Sequence, residues 1–177
     1  GAVAIDSMAD LIEAASKPVI VAGYGCIKSG SESLVTQLSE TLNIPVASSL
    51  KGKGAISEVS ELALGSLGVT SIGYAYQYIL NEADLIIFLG AAFNERTSYV
   101  WNQKLLRNKA IVQVDIDPQQ LDKVFKSDLA IQGDIKQVMS ALLERVEQRK
   151  MVKKQLIDIR RYKKEIEQES EKTDEVI

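Results

Sequence analysis

Between Asp84 and Gly90 the chain reads DLIIFLG, five apolar residues closed by a glycine. A run this short, rich in β-branched and aromatic residues, is a strand covered on both faces rather than a strand with one wet side. PVIVAG (Pro18 to Gly23) repeats the pattern, as do IPVASS (Ile44 to Ser49) and AIVQVDID (Ala110 to Asp117), with LAIQ (Leu129 to Gln132) as a fifth, briefer strand. Helical spacing fills the intervals. Met8 to Lys17 stops before Pro18, which disfavours helix in the residue ahead of it. Ser29-x-x-Glu32 has the form of a capping box leading into Leu34, Leu38 and Leu42. Ser71 to Ala83 reads as a helix that carries Gly73, and Ile135 to Gln148 closes the series. Strand alternating with helix specifies an α/β fold, a doubly wound parallel sheet with helices on both faces. Such sheets bind ligands outside the carboxyl ends of their strands, where this chain concentrates glycine, serine and aspartate.

The 177 residues suffice for one α/β domain with a remainder. Residues 1–148 form the domain and carry 12 Lys and Arg against 17 Asp and Glu, whereas residues 149–177 carry 9 against 7 and read as a charged helical linker or tail. In that tail Val152, Leu156, Ile159, Tyr162 and Ile166 recur at helical spacing among eight basic residues, followed by Glu165, Glu167, Glu169 and Glu171. The stripe is narrow; in a parent chain it is expected to lie against a neighbouring domain, and in this fragment to fray or to pack on its own domain or on another copy, so that removing the chain after Gln148 costs little stability. A net charge of −3 argues against nucleic acid as a partner. No apolar run approaches the roughly 20 residues of a membrane span. With one cysteine there is no internal disulfide framework, which suits a reducing cytoplasm. A start at Gly1-Ala2, not methionine, reads as a cut fragment or as the scar of an expression vector. With no histidine, the common catalytic kits are missing, and Cys26 has no imidazole to activate it.

Four constellations remain. Gly23-x-Gly25 follows the first strand and is either a tight turn or a phosphate approach at a helix N-terminus. It is not a dinucleotide fingerprint, since Lys28 stands where the third glycine belongs and Ser48-Ser49 end the second strand in place of an acid. Ser49 to Gly54 (SLKGKG) resembles a phosphate loop but has Ala47 and Gly54 where a Walker A sequence needs glycine and Ser or Thr, leaving a surface loop or a cationic ligand loop. Gly90-Ala91-Ala92-Phe93-Asn94-Glu95-Arg96 follows the strongest strand, with Arg96 able to fork onto phosphate or carboxylate, or else to pair with a neighbouring acid. Tyr99 and Trp101, like Phe93, read as packing. Asp115 and Asp117 suit hydroxyl contacts or helix capping, not a metal, because no third carboxylate or histidine accompanies them.

In this order KPVIVAGYGCIKSG, LNIPVASSLKGKGAI, ELALGSLG, EADLIIFLGAAFNERT and AIVQVDIDPQQLDKVFKSDLAIQGD resemble the central domain of thiamine diphosphate-dependent enzymes of the acetolactate synthase and 2-oxo acid decarboxylase type, over roughly residues 5 to 145. The resemblance implies a Rossmann-like domain of about six strands between two thiamine-binding domains, which are its partners in the parent chain, itself a homo-oligomer. In that family the cofactor-activating glutamate lies in the preceding domain and the metal-binding GDG…N motif in the following one. Gly133-Asp134-Ile135 is not that motif, so thiamine diphosphate and magnesium belong to the parent enzyme and not to this fragment. There the cofactor serves as the electron sink for chemistry beside a 2-oxo acid carbonyl.

Acetolactate synthases bind FAD in this domain, some relatives bind ADP, and others bind nothing. The positions aligned with FAD contacts are Gly23, Gly25, Ser49, Leu50, Gly65, Gly90, Arg96, Asp115, Asp117 and Asp134. Lys51 stands where those enzymes carry the methionine of TLMGLG, Val69-Thr70 where they carry Met-His, and Ala92 and Asn94-Glu95 replace the first Arg and the Asp-Asp of GARFDDR, while Phe93 and Arg96 are kept. These departures rank no dinucleotide first, FAD second, and ADP or a coenzyme A moiety third.

Overall fold

The computed structural model describes residues 1–57, 60–67, 73–92, 103–123, 125–156 and 158–175. Six strands form one sheet: β1 (Pro18–Ala22), β2 (Val46–Ser48), β3 (Ala63–Ser66), β4 (Leu85–Leu89), β5 (Ala110–Asp115) and β6 (Leu129–Gln132). Their order is β3-β2-β1-β4-β5-β6 and every pairing is parallel. This is the Rossmann-like arrangement, with the strand order reversing between β1 and β4. β1 and β4 are buried along their whole length, as their unbroken apolar sequence requires.

Alternate strand residues feed two cores. Ile20, Ala22, Leu85, Ile87, Leu89, Val112 and Val114 face helices α1 (Ala2–Ala14), α3 (Glu32–Leu42) and the long helix Ile135–Arg149. Val19, Val21, Ile86 and Phe88 face α4 (Tyr74–Asn81) and the short α5 (Gln103–Leu106), which contributes Leu105. Between these lies α2 (Tyr24–Lys28), directly after β1; the long helix is α6, and Ile159–Glu175 forms α7. At the sheet's amino edge Asp84 accepts from the backbone N–H of Ser16 at 2.7 Å and of Lys17 at 2.8 Å, tying the entry of β4 to that of β1. Arg149 joins α6 to α1 by reaching Asp10 and Glu13, each at 2.8 Å.

Several local expectations are corrected. α1 begins at Ala2, well before Met8, and α4 begins after Gly73, not through it. Ser71 and Ile72 lie outside the described residues. Ser29 does not open α3: it ends α2, its Oγ donating to the Gly25 carbonyl at 2.7 Å, and Ser31 takes the N-cap position. Gly30, at φ +66, separates the two helices. β3 is a strand that the apolar pattern did not disclose.

The tail is not helical from Val152, which is 80% exposed; the helix starts at Ile159 and turns back onto its own domain. Ile159 is 3% exposed in the second core, with Leu156 and Tyr162 packed beside it. Tyr162 meets the Tyr78 ring edge-on at 5.6 Å and accepts from Asn81 Nδ2 at 3.2 Å. Of the outcomes expected for the tail, packing on its own domain is the one observed. Ile159→Ala should lower stability by about 2 kcal/mol, the small end of large-to-small core changes, read as a shift in urea midpoint; an unmoved midpoint would show that α7 contributes nothing.

Candidate functional site

Because all six strands run the same way, the flagged residues collect at one edge of the sheet. Gly23, Ser49, Gly90 and Asp134 follow β1, β2, β4 and β6; Asp115 ends β5, and Gly65 lies within β3. Arg96, with Phe93, Asn94, Glu95, Tyr99 and Trp101, lies outside the described residues, and of Leu50 only the backbone is described.

The glycines serve first to let backbones touch. A methyl group on Gly23 would lie 2.3 Å from the Gly90 carbonyl oxygen, and one on Gly52 would lie 2.2 Å from the Ala22 carbonyl oxygen. Gly90 sits at φ +61 with its Cβ direction aimed at Gly25 Cα, 2.6 Å away, so only glycine fits there. The N–H of Gly23 donates to the Leu89 carbonyl (2.8 Å), that of Gly25 to Gly90 (3.0 Å) and that of Gly90 to Val114 (2.9 Å). Of the two readings of Gly23-x-Gly25, the tight turn describes these bonds, since both glycine amides are already engaged. Ser49 acts likewise in the next loop, its Oγ accepting from Gly52 N–H at 3.1 Å.

Beside this knot lies a cleft of about 250 Å³ lined by Gly25, Lys28, Ser29, Gly90, Asp115, Ile116, Asp134 and Ile135. Four flagged residues thus meet: Gly25, Gly90, Asp115 and Asp134. Gly23, Ser49, Gly65 and Asp117 are not among its walls. Asp115 and Asp134 converge because β6 continues alongside β5, Gly133 N–H donating to the Asp115 carbonyl at 3.0 Å. Each carboxylate also has a structural task. Asp115 Oδ1 accepts from Asp117 N–H (2.9 Å), Asp117 Oδ1 from Gln119 N–H (3.0 Å), and Asp134 caps α6 through Lys136 N–H (3.4 Å). Burial raises the Asp115 pKa, opposed by the N–H of Asp117. Lys28, Ser29, Ile116 and Ile135 were not foreseen. The signal was present for the first two, which stand three and four residues after Gly25, at the end of α2 and at its C-cap, and so return to its side of the helix.

Two carboxylates, one ammonium and a hydroxyl can accept and donate hydrogen bonds to a sugar-like group. Among the described residues no group of three or more Cys, Asp or Glu side chains is placed to hold a metal, and Asp134 gives one oxygen, Oδ1, to the cap of its helix. Cys26 is buried, its Sγ donates to the Leu89 carbonyl at 3.3 Å, and burial pushes its thiol up to about 12, away from nucleophilic use. No helix among the described residues is long and apolar enough to cross a membrane.

Residues 5–142 match the family model described as thiamine pyrophosphate enzyme, central domain. A probable acetolactate synthase large subunit from Methanococcus aeolicus is 37% identical over 138 residues, covering 77% of this chain and 22% of that protein. An acetolactate synthase from Arthrospira platensis is 34% identical over 143 residues (80% of this chain, 24% of the relative). Acetolactate synthase isozyme 3 large subunit from Escherichia coli (strain K12) is 35% identical over 155 residues, covering 88% and 26%. The chain thus spans about a quarter of the length of these relatives.

Proposed function

The chain belongs to the family of thiamine pyrophosphate enzyme central domains, and on that premise we propose that it is the non-catalytic middle domain of an acetolactate synthase-like enzyme acting on 2-oxo acids. The observation that carries this reading is the chemistry of the carboxyl edge. Asp115, Asp117 and Asp134 each give one oxygen to a turn or helix cap, Cys26 is buried with a raised pKa, and among the described residues no group of three or more Cys, Asp or Glu is placed to hold a metal. The domains before and after it would hold thiamine diphosphate and magnesium and would pair into the homo-oligomer, while this domain sets their spacing. A reducing compartment such as the cytoplasm suits the one buried thiol.

Calorimetric titration of this chain with thiamine diphosphate and magnesium should give no heat of binding. Micromolar, magnesium-dependent binding would overturn the non-catalytic reading. The parent reading has its own test: the full coding sequence should run to about 600 residues, the length that the relatives' coverages imply, and its product should form acetolactate from pyruvate.

A second reading rests on the cleft itself. If FAD or ADP visits this domain, the ribose is the part that fits, its hydroxyls donating to Asp115 and Asp134 beside Lys28. The amides of Gly23, Gly25 and Gly90 are engaged in backbone bonds and offer little to a pyrophosphate. Should ADP bind, Asp115→Ala should weaken it by about 1.5–3 kcal/mol, the worth of a hydrogen bond to a charged group. Equal affinity in the folded variant would take Asp115 out of the site.

A further inference from the structure

We draw no further inference here: the strongest candidate, the groove of about 480 Å³ between Glu40 and Asn43 of α3, Ile56 and Leu62 of the β2–β3 connection and Leu156 of the tail, carries nothing because nothing in the structure shows what covers it.

Discussion

Gly23→Ala should cost about 3 kcal/mol or more, the upper reach of overpacking changes, and leave little folded chain at 37 °C. The added methyl group would lie 2.3 Å from the Gly90 carbonyl oxygen, 2.4 Å from Ala91 Cα and 2.7 Å from Ala91 N. All three are backbone atoms, so no rotamer change relieves the contact. Nor can the loop move freely, because Gly23 N–H is bonded to Leu89 and Gly25 N–H to Gly90. The β1 and β4 loops would have to separate at the point where the strand order reverses. Gly73→Ala is the control: nothing lies within 4 Å of its Cβ position, and as a helix N-cap change it should stay within about 1 kcal/mol. Urea unfolding of the two variants decides the matter, and a Gly23→Ala protein as stable as Gly73→Ala would refute the backbone contact.

Stability should also collapse in alkali. Burial pushes the Cys26 thiol from 9.0 up to about 12, and burial, with Glu82, Tyr162 and Asp84 nearby, pushes the Tyr78 phenol from 10.0 up to about 12. Both folded values exceed the unfolded ones, so the folded state holds these protons more tightly. The stabilisation is complete below pH 9 and is lost as pH climbs through 12. For Cys26, which has no exposed surface, three units correspond to about 4 kcal/mol. Cys26→Ser removes that titration while keeping a donor for the Leu89 carbonyl. Urea midpoints from pH 8 to pH 11.5 should therefore fall less steeply in the variant; curves that run parallel would show that Cys26 does not govern the alkaline limb.

Sequence alone sufficed wherever one residue type admits one environment. LIIFL can be satisfied only by cover on both faces, and alternation of such runs with helices leaves a parallel sheet. The motif order from Pro18 to Asp134 then identified the family. Asp115 and Asp134 were flagged correctly as carboxyl-edge residues, because strand ends and glycine turns are local signals. Four-residue β3 was hidden by comparison, since ALGS is too short and too small-sided to show a period. Ser29-x-x-Glu32 satisfied a local pattern, yet Gly30 in the left-handed region assigns Ser29 to the preceding helix.

What only the tertiary structure decided is which partner each group takes. The Gly23 and Gly25 amides looked open to a phosphate until Leu89 and Gly90, more than sixty residues away, were found to occupy them. A narrow stripe in the tail did not disclose its partners, which are Tyr78 for Tyr162 and the Ala63 carbonyl for Lys163. Periodicity records how much apolar surface an element must bury and on which side. It carries no information about which distant backbone or ring arrives to bury it, because that is settled by the packing of the sheet as a whole.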